Sequence, residues 1–244
     1  MNERLTMRFL GTGNASSLAL GSASAVLEKS GAALLLVDCG PTTPERFQAH
    51  YGALAPAMFI THAHFDHIGG LEACFYQAHF SGAMPRLFVP AALVPMLYAR
   101  LGEFPGLAEG GVNFFDAFQL VPVGNHFFWR GLRFEVFPVR HHAPNSAFGL
   151  ALPGHFVYSG DTRPIPETIA HFGSGRECVF HDCALFGNPS HTGADDLLRE
   201  YSSAILQRTW LYHQRDLAEA SALRALGLKV LDPGAVVELG PLHG

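Results

Sequence analysis

Apolar residues run along this chain in short blocks that alternate with helix-like segments. Leu5–Leu10, Ser24–Glu28 and Ala32–Cys39 each read as a strand, the last closing on a turn at Gly40. Thr43 and Pro44 open a short helix, with a capping residue followed by proline at the first helical position. Strand Ala57–His62 then runs into a polar cluster, and a helix is predicted from Asp66 to Phe80. A strand Leu87–Pro90 and a helix Leu93–Leu101 precede an aromatic-rich region that reaches Phe128.

Arg130-Gly131 turns the chain into strand Leu132–Arg140, and Phe148–Leu152 with Phe156–Ser159 form a hairpin around Pro153-Gly154. The last third repeats the alternation. It predicts strand Glu177–His181, helix Ala194–Ala204, strand Thr209–Tyr212, helix Leu217–Leu226 and an extended Lys229–Leu239 broken by a Pro-Gly turn. Strand clusters mixed with helices imply layered sheets with helices outside. No repeat or linker divides residues 1–244, which read as one domain.

Composition narrows the function. With 48% hydrophobic and 15% charged residues, a large core is expected and disorder is not. A net charge of −5 without a basic run argues against an extended nucleic-acid surface. No stretch approaches the ~18 apolar residues of a membrane span, and no leader is visible, so a cytoplasmic location is expected. Cys39, Cys74, Cys178 and Cys183 have no metal-type spacing and read as free thiols.

The polar cluster is THAHFDHIGG, residues 61–70. Even with 14 histidines in the chain, an H-x-H-x-D-H match arises by chance roughly once in several hundred such sequences. In an extended segment His62 and His64 point the same way, so they can share one metal. Asp66 and His67 come a turn later and face a neighbouring position. Imidazole and carboxylate are the ligands of open catalytic zinc sites. Three further strands end on metal-competent side chains: His141-His142, Asp161 and His213. His50, His79, His126, His155, His171 and His243 read as ordinary surface or core residues.

HAHFDH, the His at 141, SGDT around Asp161 and LYH ending at 213 resemble the metallo-β-lactamase superfamily. FLGTGNASS, LLVDCG, YSGDTRP and HDCALFGNPSHTGADD are most similar to its ribonuclease Z-like and phosphodiesterase branch. The resemblance implies an αββα sandwich: two mixed sheets packed face to face, with helices on the outer faces. It also implies a two-metal centre. His62, His64 and His141 would hold the first ion, Asp66, His67 and His213 the second, and Asp161 would bridge them. Zinc is the expected ion, with manganese or iron as alternatives. Between His141 and His142, the family pattern favours the first residue past the strand, His141.

The implied reaction is hydrolysis by a metal-bound hydroxide, with Asp66 in the centre and His191 as general acid oriented by Asp182. The sequence reads HTG at 191–193 and HDCAL at 181–185 where the family has HST and HEAT, which leaves the His191 and Asp182 roles as hypotheses. A residual positive charge at two divalent ions suits a small phosphodiester such as a cyclic nucleotide. Phe65, Phe148 and Arg163 are expected at the substrate, and one or two aromatics between Phe75 and Trp129 could form a stacking wall. The short His141–Asp161 connection leaves no room for the long basic arm with which compact ribonuclease Z enzymes grip tRNA. Cleavage of tRNA 3′ ends, and esterase or lactonase chemistry on the same ions, remain the alternatives. Assembly as a homodimer is compatible with all of these.

Overall fold

Residues 4–102, 113–172 and 175–241 are described by the computed structural model. Two mixed sheets carry the architecture. In the first, β1 (Arg4–Gly11), β2 (Ser24–Lys29) and β3 (Ala32–Val37) form an antiparallel meander. β4 (Ala57–Phe59), β5 (Arg86–Pro90) and β6 (Gln119–Val123) extend it in parallel, and β13 (Val236–Pro241) closes the far edge beside β1. The second sheet runs β12 (Thr209–Tyr212), β11 (Cys178–Asp182), β10 (Phe156–Tyr158), β9 (Phe148–Leu152), β8 (Leu132–Pro138) and β7 (His126–Trp129).

Alternation within the second sheet explains why its strands read as continuous apolar runs. Phe156, Tyr158, Phe180 and Tyr212 face the first sheet, where the Phe9 ring lies 5.1 Å from Phe180 and 6.0 Å from Tyr212. Their neighbours Val157, Val179 and Leu211 point the opposite way, into a second apolar cluster. That cluster is completed by Ile169 of α6 (Pro166–Phe172), Leu197 of α7 (Ala194–Glu200), Ile205 of α8 (Ser203–Leu206) and Leu223 of α9 (Leu217–Ala225). Phe47 of α1 (Thr43–Tyr51) and Leu71 and Phe75 of α3 (Leu71–Ser81) cover the first sheet. α2 (Phe65–Ile68), α4 (Val94–Leu101) and α5 (Phe114–Ala117) complete the described helices.

Two predicted helices are broken. Asp66–Phe80 becomes α2 and α3, because the Gly70 amide turns aside to donate to the Cys39 carbonyl at 2.8 Å. Ala194–Ala204 becomes α7 and α8, with Ser202 starting a new helix by accepting the Ile205 amide. Helix α6 and strands β6 and β7 were not singled out from the pattern. Gly40 opens the expected turn, its carbonyl accepting the Thr43 amide at 3.0 Å, and it also serves close approach: a Cβ there would lie 1.9 Å from the Asp66 carbonyl oxygen.

Of the aromatics considered for a stacking wall, Phe75, Phe88, Phe114, Phe118, Phe127 and Trp129 are buried, while Phe80 and Phe128 are exposed. Phe104, His243 and the Phe115 side chain lie outside the described residues. All four cysteines are free thiols. Among the described residues no helix is long and apolar enough to cross a membrane.

Candidate metal centre

Strand direction gathers the polar residues. β3 and β4 run parallel, as do β10, β11 and β12, and β1 and β8 share their neighbours' sense through two antiparallel steps each. Chain segments leaving these strands therefore emerge along one edge of the sandwich. Asp38, His62, His141, Asp161, Asp182 and His213 stand at these ends, and His64, Asp66 and His67 follow on α2 and the turn before it.

Two donor sets result. In the first, His62 Nε2 is 3.0 Å from His64 Nδ1 and 3.6 Å from Asp161 Oδ2, and His141 Nε2 is 3.3 Å from His64 Nδ1. In the second, His67 Nε2 lies 3.5 Å from Asp66 Oδ2 and 3.3 Å from Asp161 Oδ2. His213 Nε2 lies 3.4 and 3.2 Å from the same two oxygens. Ligands at the corners of a tetrahedron with bonds of ~2.0–2.1 Å are about 3.3 Å apart. These seven separations, 3.0–3.6 Å, match that spacing, and Asp161 Oδ2 belongs to both sets. His67 Nε2 and Asp161 Oδ1 are also buried without a hydrogen-bond partner, which protein atoms rarely tolerate unless a cation takes the place. The residues present thus fit divalent ions.

Four of the five imidazoles are aimed by a partner on the other nitrogen. His67 Nδ1 donates to Asp38 Oδ2 at 2.8 Å, and His141 Nδ1 to the Ser190 carbonyl at 2.9 Å. His62 Nδ1 donates to Thr61 Oγ1 at 3.1 Å, whose own hydroxyl donates to Asp38 Oδ2 at 2.7 Å. His213 Nδ1 faces Asp182 Oδ1 at 3.3 Å. Such partners fix the tautomer, leaving the opposite nitrogen free to ligate. Asp38 and His213 hold left-handed backbone at φ 60° and 77°, conformations that non-glycine residues keep only when their surroundings impose them. For His213 the imposing contact is its amide donating to the Thr12 carbonyl at 2.7 Å.

Electrostatics divides the cluster. Burial pushes His62 well below its ordinary pKa and, outweighing Asp161, takes His141 down to about 4. Burial opposes charge on His213 too, but Asp161, Asp182 and Asp66 together push it up to about 10. His67 is likewise raised against burial, by Asp161 and Asp38. Asp66 and Asp161 are held below the carboxylate range despite burial by the imidazoles around them. Buried carboxylates that draw positive charge, beside imidazoles kept neutral, form a set that a cation satisfies.

A cavity of about 360 Å³ opens over this cluster, at the lower end of the ~300–1,000 Å³ of small-molecule sites. His64, Asp66, Asp161, Asp182, His191 and His213 line it. His191 Nδ1 donates to Asp182 Oδ2 at 2.7 Å, and the Thr162 amide holds the same oxygen at 3.0 Å. Against the loss of solvent, the hydrogen bond to Asp182 and its charge raise the His191 pKa.

The structure thus brings together His62, His64, Asp66, His67, His141, Asp161 and His213, with Asp182 and His191 beside them. His142 stays outside the donor sets, exposed, its Nδ1 against Ser190 Oγ at 3.1 Å. Three expected substrate contacts do not line the cavity. Phe148 is buried in the core, Arg163 donates to the Asn188 carbonyl at 2.8 Å, and the exposed Phe65 ring lies against Gly69. Asp38 was missed, although LLVDCG has the same setting as the others: an apolar strand ending on a carboxylate. Asn14 and Asn188, which also line the cavity, carry no comparable signal.

Comparison with known proteins bears on this geometry. The family model described as Anti-Pycsar protein Apyc1 matches residues 5–236. A protein of that description from Paenibacillus harenae is 29% identical over 238 residues, spanning 93% of this chain and 97% of its own length. One from Bacillus phage 010DV004 is 30% identical over 244 residues, spanning 90% and 92%. Among solved structures, the metallo-β-lactamase fold protein YhfI from Bacillus subtilis superposes with a TM-score of 0.75 at 13% identity, covering 97% of this chain and 99% of that one. The metallo-β-lactamase sandwich expected from the motifs is the fold of this chain.

Proposed function

This chain belongs to the Apyc1 family of anti-Pycsar proteins, and from that premise we propose that it is a two-metal phosphodiesterase acting on a small phosphodiester, a cyclic nucleotide, in the cytoplasm. The observation that carries the reading is the pair of tetrahedrally spaced donor sets sharing Asp161 Oδ2. His62, His64 and His141 would hold one ion and Asp66, His67 and His213 the other, with Asp161 available to both. Zinc suits these nitrogen and carboxylate ligands. When bound, the two ions supply Lewis acidity and a water acidified toward neutral pH.

The chain's own residues do the rest. Two carboxylate ligands would offset only half of the charge of two divalent ions, so a loaded site would favour an anionic diester. Asp182 takes the Nδ1 proton of His191 as a hydrogen bond and leaves Nε2 to hand a proton to the departing oxygen. The anti-Pycsar description implies degradation of cyclic nucleotides, which supports the substrate class. The small cavity and the net charge of −5 favour a compact ligand over a long polyanion.

The test uses protein with its metals quantified. 3′,5′-Cyclic nucleotides, bis-p-nitrophenyl phosphate, p-nitrophenyl acetate and a precursor tRNA are assayed at low and moderate salt. We expect cyclic nucleotide hydrolysis with a KM that changes little with salt, because few phosphate contacts are made. Preference for the acetate ester, or efficient and strongly salt-sensitive tRNA cleavage, overturns it.

A further inference from the structure

Two asparagines line the cavity without belonging to the donor sets: Asn14, after β1 of the first sheet, and Asn188, after β11 of the second. Each has spent its oxygen. Asn14 Oδ1 accepts from the Ser16 amide at 3.0 Å and from the Ser16 hydroxyl at 2.8 Å. Asn188 Oδ1 accepts from the Ser190 amide at 2.8 Å and the His191 amide at 3.0 Å. Their backbones are also committed. The Asn14 amide donates to the Gln214 carbonyl at 3.1 Å, and the Asn188 carbonyl accepts from Arg163. These bonds fix which way each side-chain amide faces and leave only the Nδ2 donors uncommitted among the described residues.

We propose that Asn14 and Asn188 are specificity-determining residues whose Nδ2 groups donate to substrate acceptors beyond the phosphate, on the sugar and base of a nucleotide. The inference rests on the phosphodiesterase reading and deepens it. Carboxylates and imidazoles aimed at cations leave the floor nothing to offer a neutral oxygen, whereas a side-chain amide offers two N–H groups at no charge. With one donor from each sheet, the preferred ligand carries acceptors on both flanks of the phosphorus. A site built to donate hydrogen bonds discriminates strongly against a ligand that lacks the acceptors, because its own groups are then left unpaired. Bis-p-nitrophenyl phosphate offers only weakly accepting nitro oxygens, at the far end of each ring.

Asn14→Asp and Asn188→Asp test this, since each retains the accepting oxygen that shapes its loop and removes the donors. Metal content is measured first. kcat/KM is then compared for 3′,5′-cyclic nucleotides and bis-p-nitrophenyl phosphate, and calorimetry gives the Kd of a nucleoside 5′-monophosphate. With metal content retained, we expect kcat/KM for the cyclic nucleotide to fall about tenfold or more, mainly through KM, and Kd to rise by a similar factor. The fall for the aryl diester should be several-fold smaller. Equal falls on both substrates, lost metal, or an unchanged Kd overturn the inference even if hydrolysis is intact. A chain that binds the monophosphate through these amides but hydrolyses no diester upholds it and removes the phosphodiesterase reading instead.

Discussion

Asp38→Asn examines the support beneath both donor sets at once. Asp38 is fully buried and accepts three hydrogen bonds on two oxygens: Thr61 N at 2.8 Å, Thr61 Oγ1 at 2.7 Å and His67 Nδ1 at 2.8 Å. Asparagine offers one oxygen and an NH2 group. If the oxygen replaces Oδ2, His67 and the Thr61 hydroxyl keep their acceptor, but the NH2 then faces the Thr61 amide. The flipped amide loses both bonds at Oδ2, and with them the aim of His67 and, through Thr61, of His62. The milder outcome removes one buried bond to a charged acceptor, worth about 1.5–3 kcal/mol. That is roughly ten- to a hundredfold in an equilibrium, the range in which outer partners of metal ligands act. Chelator competition should therefore show both ions weakened about tenfold or more, and most at the His67 set, with a lowered melting temperature for the metal-free chain. Wild-type affinity at both sites in Asp38→Asn would refute the argument that this carboxylate sets the ligands.

Three further outcomes follow from the same geometry. Asp161→Ala should lose both ions by elemental analysis and all hydrolysis, while His142→Ala keeps both; the reverse for His141 and His142 would reassign the ligand. Gly40→Ala places a methyl 1.9 Å from the Asp66 carbonyl, so we expect denaturant unfolding to show a loss of about 2 kcal/mol or more, and a loss below 0.5 kcal/mol, roughly, would contradict the close packing of α2 on β3. Glu28 is buried and accepts hydrogen bonds from Tyr51, Arg8 and Thr6, which outweigh burial and hold its carboxyl below the usual range. Its depressed folded pKa contributes stability above pH ~4.3 that is lost as pH falls through the folded value. The melting-temperature gap between wild type and Glu28→Gln should thus narrow on going from pH 6 to pH 3, and a constant gap would show that the charge is not what matters.

Much of the fold and of the site was legible in the order of residues, for a local reason. A strand declares itself by its own apolar run, and HAHFDH packs four donors into a segment whose alternation already separates two binding directions. The strand-end rule also reached His141, Asp161 and His213, because each stands directly after such a run. Helix breaks were hidden where a backbone group found a distant partner: the Gly70 amide leaves its helix for Cys39, more than thirty residues upstream. Strand β6 was obscured by Pro122 within its short run, and β7 because the exposed Phe128 between buried Phe127 and Trp129 hides the alternation. Phe148 and Arg163, plausible by proximity to the motifs, are taken by the core and by the Asn188 loop. What only the tertiary structure decided is convergence. Parallel pairing within each sheet puts seven strand exits on one edge, so residues separated by more than a hundred positions, Asp66 and His213, come within 3.4 Å. Position in a sequence carries the chemical type of a donor, but the distance between donors is set by the strand order and register of the two packed sheets.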